Sequence, residues 1–242
     1  MTDYVLFKYR KIDKNLLKSL VHSEIFFAGP DRLNDPFDCK VEILKALENA
    51  IARAPDQSRT KLEKLRGMSG FFEKVQADFS KIGVCSFTLD LKCSLMWSHY
   101  ADDHRGICLT YSFPESFFRE NAGQILGTDK VDYGTNPLSN WFVEVAPSLN
   151  SFEEFGISLI KKILIVKAKP WEYEKEVRII RKAEGVQVID KLYLKQVCFG
   201  LRTSQSDMAL VQALLDDCGY DVALCRMIRT AGSDFEVDAV NI

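Results

Sequence analysis

The sequence predicts an α+β protein: a central mixed or antiparallel sheet with flanking helices and a helical lobe inserted at about 40–81. Three observations lead to this. Period-two alternation and helical spacing follow one another irregularly, unlike the steady βαβ winding of a parallel sheet. From Lys40 to Lys81 the composition turns helical and charged, with breaks near Pro55 and Gly67. No phosphate-cradling loop appears, because Gly67-Met68-Ser69-Gly70 lacks both the spacing and the lysine. One domain, 1–242, carrying the lobe as an insertion, is the expected organisation.

Taken in order, Tyr4 to Tyr9 alternates as a first strand ending at Arg10. Asp13 is placed to cap a helix over Lys14–His22, striped by Leu16, Leu17, Leu20 and Val21. Ile25–Ala28 reads as a second strand of the sheet, closed by Gly29-Pro30. In Asn34-Asp35-Pro36-Phe37, Asn34 and Asp35 are suited to bond the backbone two residues on, and Pro36 bars Asp35 from helix. That makes a rigid turn, or a loop presenting Asn34 or Asp35 to a ligand. Val41–Arg53 and Thr60–Phe79 supply the lobe's helices.

Val84–Tyr111 concentrates the unusual residues and reads as strand, short helix, strand. Ser94 is expected to cap a helix with Met96, Trp97, Tyr100 and Ala101 on its buried face, and Gly106 to stop it. His99 lies roughly 200° around from Trp97, which directs it to a polar cavity. Later, Asp129–Tyr133 suggests a strand and Ser151, with Glu153 and Glu154, opens a helix to about Ile165. Strands are expected at 176–181, 197–201, 221–228 and 235–240, with a helix at 207–216.

Net charge is −2, from 32 basic and 34 acidic residues, so bulk electrostatics favour neither nucleic acid nor an anionic membrane. No apolar run reaches the roughly 20 residues that span a bilayer. Seven cysteines, an odd number without paired spacing, and no secretory leader lead to the expectation of a reduced, cytoplasmic protein. Cys85, Cys93, His99, His104 and Cys108 match no common zinc spacing, so no metal is expected. A Cys93–His99 nucleophile lacks an identifiable oxyanion loop. Glu174 and Glu176 are the stronger candidates: period two places them on one face with Arg178. One carboxylate of such a pair can hold a ribose hydroxyl while aromatic rings flank a flat leaving group. The alternative is an ordinary cross-strand ladder pairing Glu176 and Arg178 with neighbours.

Phe7-Lys8-Tyr9-Arg10, Leu33-Asn34-Asp35-Pro36-Phe37, Cys85-Ser86-Phe87, Met96-Trp97-Ser98-His99-Tyr100-Ala101, His104-Arg105-Gly106-Ile107 and Trp171 to Arg178 stand in this order along the chain. Together they resemble a bacterial family filed as domain of unknown function 2971, often found near phage-defence genes. The family name implies no activity. The element order is also similar, more distantly, to the ADP-ribosyltransferase fold. That resemblance implies NAD as substrate, with Arg10 at the anchor, Tyr9 beside it as a binding candidate, and Ser86 and Tyr100 by the nicotinamide wall. It implies Glu176 at the catalytic strand with Glu174 two residues before, while Asn34, Asp35, His104 and Arg178 fall in the binding blocks. The chain departs from the fold in three ways: Arg10 ends its strand, the second strand lacks Ser-Thr-Ser, and the 40–81 lobe is extra. Three readings follow. One is an ADP-ribosyltransferase-like or NAD-cleaving enzyme, with a protein or nucleic-acid acceptor open. Another is a hydrolase or nuclease using His99, His104 and Glu176. The last is a non-enzymatic ligand- or protein-binding regulator, whose polar cluster should be closed with no cleft beside it.

Overall fold

The computed structural model describes residues 3–40, 42–148, 151–233 and 236–242. In chain order, β1 (Tyr4–Arg10), α1 (Lys14–Val21) and β2 (Glu24–Phe27) precede the lobe helices α2 (Ile43–Arg53), α3 (Asp56–Arg66) and α4 (Ser69–Phe79). Then come β3 (Gly83–Thr88), α5 (Ser94–Tyr100), β4 (Ile107–Phe113), α6 (Glu115–Glu120), β5 (Ile125–Lys130) and β6 (Asp132–Gly134). The chain continues through α7 (Pro137–Glu144), α8 (Phe152–Ile165), β7 (Val166–Ala168), β8 (Glu176–Arg181) and β9 (Gly185–Val188). It ends with β10 (Leu194–Phe199), α9 (Gln205–Asp217), β11 (Ala223–Arg229) and β12 (Val237–Asn241).

Eight strands form the central sheet in the order β12-β11-β10-β4-β1-β3-β8-β5, antiparallel except for β10 beside β11. The α+β expectation holds. β4 is buried along all seven residues because both of its faces are covered. On one face, Leu16 and Leu20 of α1, Phe117 of α6 and Val211 and Leu215 of α9 pack on Phe87, Leu109, Phe113 and Ile179. The other face carries two apolar clusters. The lobe helices, with α7 and α8, cover Val84 and Ile180, while Trp97 of α5 covers Tyr9, Cys108, Cys198 and Cys225. Between these clusters the sheet bears Ser86, Thr88, Glu176 and Arg178, paired across β3 and β8 as Ser86 with Arg178 and Thr88 with Glu176. A polar strip between two apolar cores is the setting of the site.

Several expectations need correction. β2 does not join the central sheet; it pairs with β9, a strand not foreseen, and only Ala28 bridges to Val84. Ile25 and Phe27 are buried in the core, while the backbone of Glu24–Phe27 is taken up by Gly185–Val188 of β9. The α5 cap residue is Cys93, and no side chain caps the helix; Ser94 is its first residue. The helix ends at Tyr100, and three successive left-handed residues, Asp102, Asp103 and His104, turn the chain before Gly106 is reached. Gly106 serves contact instead, since a Cβ there would lie 2.2 Å from the Arg10 carbonyl oxygen. Asp13 and Ser151 do cap their helices, accepting from Leu16 N and Glu154 N. Val41 and Phe235, used as bounds for a helix and a strand, lie outside the described residues.

Candidate functional site

β1 and β3 meet through a single register pair, Phe7 with Thr88, and diverge elsewhere. Lys8 crosses the gap: its Nζ donates to the Ser86 carbonyl at 2.7 Å and lies 5.0 Å from the centre of the Phe87 ring. At this split opens a cavity of about 200 Å³, whose walls include Tyr9, Asn34, Ser86, Tyr100, Glu174 and Glu176. Residues far apart in sequence converge there because β3 and β8 carry the floor, α5 one wall and the Asn34–Asp38 loop the other.

The polar floor is one connected network. Asn34 Nδ2 donates to the Tyr100 hydroxyl at 2.8 Å, which donates to Glu174 Oε1 at 2.5 Å. Lys167 Nζ donates to Glu174 Oε2 at 2.6 Å and to Glu176 Oε2 at 3.0 Å. Arg178 Nε reaches Glu176 Oε1 at 2.7 Å, and its two Nη groups grip both oxygens of Asp38 at 2.9 and 2.5 Å. The remaining donor capacity of Arg178 goes to Glu176 Oε2 and the Leu164 carbonyl. Arg178 is fully buried, and such a charge stays inside only when its donors are matched this way.

Three carboxylates, Asp38, Glu174 and Glu176, face two cations, Lys167 and Arg178. One negative charge is in excess, and the cluster places it unevenly. Burial pushes the Glu174 carboxyl above the usual carboxylate range, and the bonds from Lys167 and Tyr100 offset this only in part. Burial also raises Glu176, but the adjoining Arg178 guanidinium, Lys167 and the Ser86 hydroxyl outweigh it and hold that carboxyl down to about 2. Two neighbouring carboxylates driven apart in this way divide their roles: one exchanges a proton, the other stays an anion. Tyr100 is raised, first by burial and then by its bond to Glu174, so its hydroxyl keeps its proton.

Glu174 reaches this position by an unforeseen route. It does not continue the β8 alternation; it ends a 3₁₀ turn over Lys169–Glu174, and Lys175 (φ 43°) takes the left-handed conformation between the two glutamates. Lys175 Nζ is fixed to Asp90 Oδ2 at 2.8 Å, and Thr88 Oγ1 donates to the Glu174 carbonyl at 2.5 Å. Glu176 N donates to the Tyr133 hydroxyl at 2.9 Å, tying the strand start to the β5–β6 side.

Of the sequence-based candidates, Tyr9, Asn34, Ser86, Tyr100, Glu174 and Glu176 line the cavity. Arg178 lies beneath it, holding Glu176. Asp35 is buried and only builds the turn, its Oδ1 accepting from Phe37 N at 2.9 Å. Arg10 is not among the lining residues; it ends β1, paired with Ile107 of β4. His99 does not enter a polar cavity; it is exposed outside α5, beside Trp171 and Tyr173 at ring distances of 6.5 and 6.2 Å. His104 stacks on Trp97 at 6.2 Å and lines a different depression with Arg202 and Arg229. His99, His104 and Glu176 therefore do not converge on one centre. Asp38 and Lys167 were missed. Asp38 follows the Asn34–Phe37 block directly, and Lys167 closes the apolar run Ile163–Val166, a place where a charge needs partners. Among the described residues, no group of three or more His, Cys, Asp or Glu could hold a metal, and no helix is long and apolar enough to cross a membrane.

Residues 96–179 match the sequence model of the family described as "Protein of unknown function (DUF2971)", the family that the sequence motifs resemble. The matched segment carries Tyr100, Lys167, Glu174, Glu176 and Arg178, whereas Asn34, Asp38 and Ser86 fall before it. No curated protein and no solved structure gives a match.

Proposed function

We propose that the cavity at the β1–β3 split is an active site that cleaves the N-glycosidic bond of a nicotinamide nucleotide, in the manner of an ADP-ribosyltransferase or an NAD-cleaving enzyme. The observation that supports this best is the pair Glu174 and Glu176 on one cavity wall, one carboxyl raised and the other held as an anion. As the bond from ribose to nicotinamide breaks, its electron pair stays on the leaving ring and positive charge appears on the sugar. The fixed negative charge of Glu176 opposes that charge without rearranging, the kind of preorganisation that lowers such barriers. Arg178, Lys167 and Ser86 occupy the acceptor positions of Glu176, so it acts through its field.

Glu174 does the contacting. Tyr100 and Lys167 bond one position on each of its oxygens. Its remaining lone pairs are available for a ribose hydroxyl, or for the proton of the incoming water or acceptor. Phe7, Tyr9, Phe87 and Met96 provide apolar surface for a flat ring. At about 200 Å³ the cavity is below the roughly 300–1,000 Å³ of complete small-molecule sites, so it suits a ring and its ribose rather than a whole dinucleotide.

The test is incubation of purified protein with NAD, following nicotinamide release, label transfer to lysate, and binding by calorimetry. Release or transfer supports the enzyme. Binding without either leaves a ligand-binding regulator as the function, and absence of binding rejects both.

A further inference from the structure

The loop that builds one wall of the cavity is inverted in its partition. It buries two carboxylates, Asp35 and Asp38, and turns Phe37 outward, 80% exposed. Arg178 and the turn offset the burial of the two carboxylates, whereas the exposed phenylalanine ring gains nothing from folding. Asp38 is held by Arg178 and Asp35 by the turn it caps, and these two anchors fix the direction in which Phe37 points. Phe37 stands on the rim of a second cavity of about 430 Å³, on the other side of Lys167, which lines both spaces. This volume lies within the range of complete small-molecule sites. Asn49 of α2 and Asn136 ahead of α7 offer amides to it, and Lys40 and Lys45 offer charge. Lys45 is paired with Glu42 at 3.2 Å, whereas Lys40 is exposed with no ion-pair partner among the described residues.

We infer that this second cavity is a nucleotide site in which Phe37 stacks on a base, Asn49 and Asn136 bond its edge, and Lys40 meets a phosphate. An exposed ring, amides and an unpaired ammonium around one hollow match two parts of a nucleotide: a flat base with a polar edge, and an anionic phosphate. Resting on the proposed function, this cavity takes the adenylate half of the dinucleotide whose nicotinamide half occupies the smaller one. It makes the substrate a dinucleotide rather than nicotinamide mononucleotide alone.

Calorimetric titration with AMP, nicotinamide mononucleotide and NAD tests the assignment on the wild type and on Phe37→Ala, Phe37→Tyr and Lys40→Ala. AMP should bind the wild type, and Phe37→Ala should weaken AMP and NAD by about tenfold, the scale of one lost base–aromatic stack. Phe37→Tyr should restore both, and Lys40→Ala should weaken both while reducing their salt dependence. The mononucleotide should be indifferent to all three changes. AMP lost in Phe37→Ala from a protein that releases no nicotinamide supports the nucleotide site and rejects the cleavage reading. Failure of the wild type to bind AMP, or equal AMP affinity in Phe37→Ala, overturns the nucleotide site even if NAD is cleaved.

Discussion

Glu174 and Glu176 are separated by one residue and differ in what their protons do. Glu176 is held down to about 2, so its ionised form favours the fold above the ordinary carboxylate range near 4.3. That contribution is lost as pH falls from about 4.3 towards 2, and acid unfolding monitored in wild type and Glu176→Gln should show it, with the variant losing less stability over this window. Glu174 has the opposite sign. Its raised carboxyl favours the fold when protonated, and that advantage fades as pH rises through the raised value. Removing one partner from a buried ion pair commonly costs about 3–5 kcal/mol, so Glu176→Gln or Arg178→Met should be severely destabilised in urea titration. Glu174→Gln removes the excess negative charge of the cluster and should stay within about 1 kcal/mol of wild type. The pair was legible in the sequence because Glu174-Lys175-Glu176-Val177-Arg178 sits in a strand-like run. Its ionisation pattern was not, since Lys167 and Asp38 come from β7 and a loop that local periodicity does not join to β8.

At the scale of elements, α5 shows which part of a motif is structural. Trp97 is fully buried, its Nε1 donating to the Leu91 carbonyl at 2.9 Å and its ring edge-on to Tyr9 at 5.0 Å. Trp97→Ala should therefore cost about 3–5 kcal/mol, while exposed His99→Ala should lie within about 0.5 kcal/mol. Equal, large losses from both would mean that α5 is packed differently. The His104–Gly106 turn works the same way: its carbonyls accept from Arg202 N at 2.9 Å and Gly200 N at 3.0 Å, locking α5 to the end of β10. A Cβ on Gly200 would lie 2.2 Å from the His104 carbonyl oxygen, against backbone that cannot move aside. Gly200→Ala should be destabilised well beyond the roughly 1 kcal/mol of a typical substitution, measurable as a shift in urea midpoint. The strands β1, β3, β4 and β8 were readable because each is a short run rich in β-branched, aromatic and other apolar residues. β2 misled because four residues rich in phenylalanine look alike in the central sheet and in a two-stranded one. The short helices α6 and α7 lie in stretches broken by Pro114 and Pro137, where periodicity has too few turns to register.

For the whole molecule, the arrangement is a sheet with one apolar face and a second face divided between two cores. The 40–81 lobe provides one of those cores and carries α2 to the rim of the second cavity, so the insertion is part of the site's frame. Because Asp38 ties the loop before the lobe to Arg178 and Lys167 at the cavity, lobe and site are coupled through buried ion pairs of this one carboxylate. The central claim is that Glu174 is the carboxylate that meets the sugar. If so, nicotinamide release should rise with pH through the raised Glu174 value and level off, since the ionised form does the work. The most direct measurement is the rate of nicotinamide release from NAD at saturating substrate, for wild type and for Glu174→Gln shown to be folded by its urea transition. The account predicts a loss of about 10²–10³ with the pH dependence flattened. Release by Glu174→Gln at the wild-type rate, with the same pH profile, would contradict it.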